Sequence, residues 1–425
     1  MPRRERSTRP AQRDAAVRIV ARLRDAGHTA YLAGGCVRDA LLDIEPKDYD
    51  IATDARPERV RELLPRSRAV GEAFGVILVY LSGWPIEVAT FRAESGYADG
   101  RRPDAVHFTD AEHDAQRRDF TINGLFADPL ETDPATGRDR IIDYVAGQAD
   151  LAAHLVRAIG EPAHRFGEDY LRMLRAPRFA ARLGFEIEPG TAAAIRAEAS
   201  SLARISRERI GHEVEAMLTG RHPARAAALI QSLALDAPTL TEPAADVPLP
   251  TLAALEVADA GRYPTRLAAW MIDRHADGRP LAAAARFAHD AGPVVARWRA
   301  ALNLTNRHRE ALHRVLDLLL RTAAWPELPV ARRKRLLGER DWPEARALLS
   351  ALDADDALAR IDADAQPLVQ TGLAPTPLVT GQDLIELGLT PGPRFGQLLE
   401  AIYDAQLDGR VTTRDDALAW IRQHR

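Results

Sequence analysis

The chain has 425 residues, with 57 Lys and Arg against 61 Asp and Glu, a formal net charge of −4. That length suggests two to four domains, and the charge balance excludes a globally basic nucleic-acid binder, so contact with nucleic acid would need local positive patches. The single cysteine, Cys36, excludes an internal disulfide framework and a Cys-rich zinc site. No apolar run reaches membrane-spanning length, and the opening MPRRERSTRPAQR lacks the apolar segment of a secretory signal. The expectation is a cytoplasmic protein without membrane contact, the Arg-rich start being either a frayed tail or a basic arm. Positive charge is almost all Arg, the lysines being Lys47 and Lys334. Hydrophobic residues make up 46%, aromatics 6%, and strand-type runs are confined to the first third. This predicts a small α/β head followed by a long helical remainder.

In chain order, residues 11–26 have helical periodicity, with Ala15, Ile19, Val20 and Leu23 on one face and Gly27 as the stop. Residues 31–53, YLAGGCVRDALLDIEPKDYDIAT, read as strand, glycine turn, short helix, loop and strand. At Gly34-Gly35 the absence of side chains allows close backbone approach. The helix from Cys36 offers unpaired N–H groups to an anion, and Arg38 adds a guanidinium fork suited to phosphate. Asp48 and Asp50 alternate onto the same side of the second strand, roughly 6–7 Å apart at Cα. Such a pair can share two hard cations; alone, it is also the pattern of a solvated strand edge.

Asp54 is the expected cap of a helix over 56–64. Strands are expected over 76–81 and 86–91, joined across Ser82-Gly83-Trp84-Pro85. Glu87, on the second of these strands, is read as an outward-facing charge in preference to a third metal ligand. Residues 92–108, with Arg101-Arg102-Pro103, have the composition of a mobile loop. In QRRDFTINGL (116–125), Arg117 and Arg118 precede an expected short apolar helix capped by Asp119, and 140–144 is the last expected strand.

From residue 150 the pattern is helical throughout. Asp169, Arg172, Arg175 and Arg178 recur every third residue and are placed along one helix, with Pro177 expected to kink it at a cost of about 3 kcal/mol if uncompensated. Taken alone, this spacing is also that of a solvated salt-bridge ladder. Ser206 is the expected cap of a helix over 201–219, in which His212 reads as packed or solvated. Residues 240–250 are a Pro-rich break, 252–349 several helices, and 362–377 a loose linker. His289-Asp290 lacks the second histidine-and-aspartate set of a phosphohydrolase. In the last segment, Gly388, Pro391-Gly392-Pro393 and Gly396 are expected in one turn between two helices, whose N–H groups can hold a phosphate. No Walker pattern occurs.

GGCVRDALL followed by KDYDIAT, then the RRD of 117–119, then EDYLRMLR at 168–175, resemble in kind and order the motifs of the class II tRNA nucleotidyltransferase (CCA-adding enzyme) and bacterial poly(A) polymerase family. The resemblance covers 31–185, extends to 201–219 and 378–408, and fades between them. It implies an α+β fold: a polymerase-β-like nucleotidyltransferase head with a mixed sheet (1–146), a base-recognising neck (147–220), a helical body (221–361) and a tRNA-binding tail (362–425). It also implies addition of C and A to the tRNA 3′ end from CTP and ATP by a two-metal mechanism. Asp48 and Asp50 would be the catalytic carboxylates holding two Mg²⁺. Gly35, Arg38 and Arg118 would contact the triphosphate, Asp119 a ribose hydroxyl, Asp169 and Arg172 the base edge, and Arg175 and Arg178 the phosphates. The loop 92–108 would help switch nucleotide choice, and Gly124 stands where Ala is commoner. The motifs do not separate full CCA addition from CC-only, A-only or poly(A) synthesis. Two other readings stay open: a non-catalytic RNA-binding protein, and a small-molecule nucleotidyltransferase of the antibiotic-modifying kind.

Overall fold

The computed structural model describes residues 9–71, 75–95, 105–276 and 280–424. The basic start and Arg101-Arg102-Pro103 lie outside the described residues. The chain divides into two compact units, residues 1–213 with 229–244 and residues 214–228 with 245–425.

The first unit begins with α1 (Arg9–Asp25), whose apolar stripe of Ala15, Ile19, Val20 and Leu23 is fully buried. Then follow β1 (Ala30–Ala33), α2 (Gly35–Leu41), β2 (Asp50–Thr53), α3 (Pro57–Leu63), β3 (Ser67–Gly71), β4 (Val76–Leu81) and β5 (Trp84–Thr90). After these come β6 (Arg92–Ser95), β7 (Ala105–Phe108), α4 (Ala111–Gln116), β8 (Leu125–Thr132) and β9 (Asp139–Asp143). Seven strands form one sheet in the order β3-β4-β5-β2-β1-β8-β9. Neighbours run antiparallel except β2 and β5, which are parallel with Asp50 opposite Glu87.

Several expectations change here. β2 starts at Asp50, so Asp48 lies in the approach to the strand. Asp54 does not cap α3; its Oδ1 accepts the Thr29 N–H at 3.0 Å, and Pro57 opens the helix after Arg56. The β4–β5 turn is only Ser82-Gly83, both with positive φ (54° and 86°), so Trp84 and Pro85 belong to the strand. The ends of the expected loop over 92–108 pair as β6 and β7. The helix expected within 116–125 is instead a single 3₁₀ turn, Thr121–Asn123, leading into β8. Phe120, Ile122, Leu125 and Phe126 are all fully buried. Burial of adjacent positions hides the alternation that marks a strand with one wet face.

Cys36 sits inside α2 as a small buried residue, its Sγ 3.4 Å from the Ala33 carbonyl, and burial pushes its thiol up to about 11.

The unit continues with α5 (Gly147–Ala152), β10 (Leu155–Val156), α6 (Pro162–Glu168), α7 (Arg172–Leu183), β11 (Glu186–Ile187) and α8 (Pro189–Glu198). This segment is not helical throughout, because β10 and β11 pair as a short parallel ribbon. Nor do Asp169 and Arg172 share one helix: Asp169, at φ −152°, is the extended residue between α6 and α7. Pro177 is accommodated inside α7, which ends at Gly184 with φ 71°. α9 (Arg207–Leu218) starts after Ser206, with His212 exposed, and is followed by α10 (Pro223–Ser232) and α11 (Asp236–Leu240).

The second unit holds α12 (Pro250–Val257), α13 (Tyr263–His275), α14 (Leu281–Asp290), α15 (Gly292–Ala301), α16 (Asn306–Ala323), α17 (Val330–Leu337), α18 (Trp342–Ala351) and α19 (Asp355–Gln370). Its core includes an edge-to-face Trp270–Trp298 pair with centroids 5.1 Å apart. His289 and Asp290 stay exposed at the end of α14, 4.0 Å apart. α19 runs through much of the expected linker, because Leu358 and Ile361 bury one face and no glycine interrupts it; Pro367 lies near its end. The last helices, α20 (Gly381–Glu386), α21 (Pro393–Leu407) and α22 (Arg414–His424), close a small core around Leu384, Ile402 and Ile421. Gly396 lies within α21 and not in the turn before it. Among the described residues no helix is long and apolar enough to cross a membrane.

Candidate active site

The parallel pairing of β2 and β5 sets Asp50 directly beside Glu87, on strands spaced about 4.8 Å apart. Both line a cavity of about 880 Å³. Glu87 therefore faces the site, contrary to the outward reading; its neighbour strand is joined through a long connection, so the register was invisible in the sequence. Asp48 is exposed and does not line the cavity, but its charge reaches Asp50. Asp50 is itself solvent-accessible at the cavity mouth, but withdrawal of its carboxyl from water by the cavity lining, then the charge of Glu87, and to a lesser extent that of Asp48, push it up to about 6, against the opposing pull of Arg118.

Next to Asp50 lies the glycine turn, which follows Ala33, the register partner of Asp50 on β1. Gly34 has φ 71° and ψ −119°, and a Cβ there would stand 2.7 Å from Arg118 Nη1. Glycine thus serves both the backbone conformation and the passage of the Arg118 side chain. Arg118 donates Nε and Nη2 to Asp114 Oδ2 (3.2 and 3.0 Å) and Nη1 to the Asn123 carbonyl (3.1 Å), with its guanidinium 5.0 Å from the Phe126 centroid. Asp114, unnoticed in the sequence, also accepts from Arg117. Gly35 lines the cavity as expected.

Arg38 is not a free phosphate fork. It is 2% exposed; its Nε and Nη2 donate to Asp39 Oδ1 (2.9 and 2.6 Å) and its Nη1 to Asn123 Oδ1 (2.5 Å). A buried guanidinium needs such partners, so its fork is already engaged, although one edge still lines the cavity. Asp119 is likewise engaged. Its Oδ1 accepts from Phe120 N and Asn123 Nδ2, and its Oδ2 from Arg175 Nε at 2.7 Å. Burial would raise Asp119, but the Arg175 charge, the Asn123 hydrogen bond and the Arg172 charge hold it at about 2.

Asp169 and Arg172 both reach the cavity, each held by a different neighbour. Asp169 Oδ2 accepts from Arg209 Nη2 at 2.6 Å, and its Oδ1 from the Leu171 N–H. Arg172 donates to Glu168 and to the carbonyls of Arg165 (2.9 Å) and Arg117 (3.1 Å). Arg178 survives Pro177 with its direction intact: it lines the cavity, pairs with Glu213 at 2.7 Å and lies 4.5 Å from the Phe179 centroid. Arg209 was missed because it comes from α9, although the segment that carries it was recognised; Arg92 and Arg182 also line the cavity. Among the described residues, nine arginines and four carboxylates line the cavity. That surplus of positive charge suits a polyphosphate.

The donor set fits a divalent cation. A cation would relieve the repulsion that raises Asp50. Among the described residues no three His, Cys, Asp or Glu side chains converge tightly enough to hold a metal alone. Asp50 and Glu87 could hold a divalent cation only with substrate phosphates and water completing its shell.

Residues 30–157 match the family model described as poly A polymerase head domain, and residues 184–240 that of the probable RNA and SrmB-binding site of polymerase A. A CCA-adding enzyme from Limosilactobacillus fermentum is 34% identical over 411 residues, covering 95% of each chain. The crystal structure of the Bacillus stearothermophilus CCA-adding enzyme in complex with CTP superimposes with a TM-score of 0.72, at 28% identity over 97% of each chain. The Thermotoga maritima CCA-adding enzyme, complexed with tRNA, shares the fold at a TM-score of 0.64 and 19% identity, over 98% of this chain and 96% of that one. With relatives matching end to end, and with a strand-borne carboxylate pair facing an arginine wall, the chain belongs to the CCA-adding enzyme family of nucleotidyltransferases.

Proposed function

We propose that this protein adds C and A to the 3′ end of tRNA from CTP and ATP, without a nucleic-acid template and with release of pyrophosphate, in the cytoplasm. The observation that carries this reading is the single cavity with Asp50 and Glu87 at one side, arginines along its wall, and Asp169 and Arg172 also on its lining. Asp50 and Glu87 on the cavity lining, with Asp48 at its approach, would hold the metal ions. Two Mg²⁺ ions bound there would lower the pKa of the tRNA 3′-hydroxyl and neutralise charge on the α-phosphate and the departing pyrophosphate.

The chain's own groups do the rest. The backbone at Gly34 and Gly35, with Arg118, Arg175 and Arg178, binds and orients the triphosphate. Arg38 supports that site from below through Asn123 and Asp39. Asp119 holds Arg175 and borders the sugar. Asp169 accepts from the exocyclic amine of the base, and Arg172 donates to a ring nitrogen or carbonyl. C and A carry this amine (N4 and N6) at the edge position where U and G carry a carbonyl oxygen, so one pair accepts the first two and rejects the others. Base reading is assigned to residues 147–220, and the grip on tRNA to 221–361 and 362–425. That grip works mostly by phosphate and shape, so binding weakens steeply with salt.

The test is incubation with tRNA transcripts ending before CCA, at C, and at CC, each with Mg²⁺ and labelled CTP, ATP or both, beside an Asp48→Ala/Asp50→Ala control. Full CCA on the shortest transcript, absent in the control, is the expected result. CC alone or A alone would keep the chemistry and narrow the activity. Long A tails on unrelated RNA would make it a poly(A) polymerase, and no incorporation at all would overturn catalysis in favour of RNA binding.

A further inference from the structure

Besides Arg172 and Arg178, α7 carries two arginines on one face that reach carboxylates of the first unit. Near its start, Arg175 donates Nε to Asp119 Oδ2 at 2.7 Å. Seven residues on, about 10.5 Å along the axis, Arg182 donates Nη2 to Asp39 Oδ2 at 2.7 Å. The two receiving carboxylates are linked to one another. Asp39 Oδ1 holds Arg38, Arg38 Nη1 reaches Asn123 Oδ1, and Asn123 Nδ2 reaches Asp119 Oδ1 at 3.0 Å. The circuit therefore runs α7–α2–3₁₀ turn–α7. Asp39 is 3% exposed with both oxygens engaged, so it is not itself available to a nucleotide.

We infer that the Arg182–Asp39 pair is a positioning device that sets the register between the phosphate site at the N-terminus of α2 and the base-reading residues at the N-terminus of α7. Arg172, Arg175, Arg178 and the buried apolar face hold the first turns of α7. The Arg182–Asp39 bond ties its last turns to α2, and without that partly buried charge-assisted bond this end of the helix can tilt away from α2. A nucleotide spanning the cavity has its phosphates against α2 and its base against Asp169 and Arg172. A tilt of α7 would change that span and present the wrong donor and acceptor spacing to the base. Discrimination would fall before chemistry does, since Asp50 and Glu87 stand on β2 and β5 and do not move with α7.

This rests on the base-reading role assigned above to Asp169 and Arg172, and the experiment separates the two. Arg182→Met keeps the aliphatic stem and removes the donor; Arg182→Lys keeps the charge. Incorporation of CTP, ATP, UTP and GTP is measured with full-length protein and tRNA ending before CCA, together with melting temperature. Arg182→Met is expected to raise UTP and GTP use relative to CTP about tenfold, a change in selection that loss of a cavity-lining charge, which weakens all four nucleotides alike, would not produce. Arg182→Lys should recover most of the selection. If Arg182→Met fails to fold, Arg182→Lys carries the test, with intermediate values expected. A change in melting temperature or in KM alone, with selection intact, would overturn the inference. Asp169→Ala and Arg172→Ala are run in parallel. If they abolish selection while Arg182 variants leave it untouched, base reading stands and the positioning role falls. If they too leave selection unchanged, base reading itself falls and the inference falls with it.

Discussion

Asp50 and Glu87 are register partners on parallel strands, and their charges repel across one strand spacing. Asp50 is raised to about 6 from an ordinary 3.8, so the folded state binds this proton more tightly than the unfolded chain. Without a cation the group therefore destabilises the fold above about pH 6, and that penalty fades as pH falls toward 4. Mg²⁺ should raise the melting temperature at pH 7 and have much less effect at pH 5, where protons compete. Asp50→Asn should melt higher than the parent without Mg²⁺, gain little from added Mg²⁺, and lose activity. Melting curves across pH and Mg²⁺ concentration check this; an Asp50→Asn protein less stable than the parent at pH 7 would contradict it.

Asp119 behaves oppositely. Its depressed value of about 2 contributes stability that is fully present above about pH 4 and is lost as pH falls toward 2, an amount on the order of 2 kcal/mol. Asp119→Asn should forfeit that contribution at neutral pH, flatten the acid limb of the stability profile, and leave Arg175 without its partner. Urea denaturation at several pH values reads the difference.

Gly34→Ala should be costly for two separable reasons. The backbone at φ 71°, ψ −119° lies where L-residues are strained, by about 1–3 kcal/mol. The new Cβ would also displace Arg118. Expected is a loss of stability together with a rise in KM for nucleotide, whereas strain alone would leave KM unchanged in the folded fraction.

Gly124→Ala adds a Cβ at a tightly packed position. Here its Cβ would meet Val145 Cγ2 at 2.6 Å and Ile159 Cδ1 at 3.3 Å. Overpacking of this kind costs about 1–3 kcal/mol. Nucleotide incorporation at low temperature should be retained, with an earlier melt; a higher melting temperature would show that Val145 swings away freely.

The glycine turn, the strand with Asp50 and the arginines of α7 were legible because each is a local pattern with its own spacing. The α1 stripe was legible for the same reason. What stayed hidden depended on distant partners. β8 is buried on adjacent positions and shows no alternation. Glu87 acquires its role from a parallel register with β2. Arg38 fits a phosphate by chemistry, yet its depth commits it to Asp39 and Asn123. Regular spacing of Asp169 with the arginines of α7 imitated one helix, while the chain in fact breaks at Asp169.

Cys36 has a practical consequence. A thiol that is buried and pushed up to about 11 is scarcely ionised near neutrality and reacts slowly with maleimides or iodoacetamide. The sequence contains no other cysteine. The native chain is thus already a near-silent background for thiol chemistry, and a cysteine engineered onto each of two exposed positions would accept a fluorophore pair without first mutating the glycine turn. Distances between labelled positions within the first unit could then be followed by energy transfer as nucleotide binds, in otherwise wild-type protein.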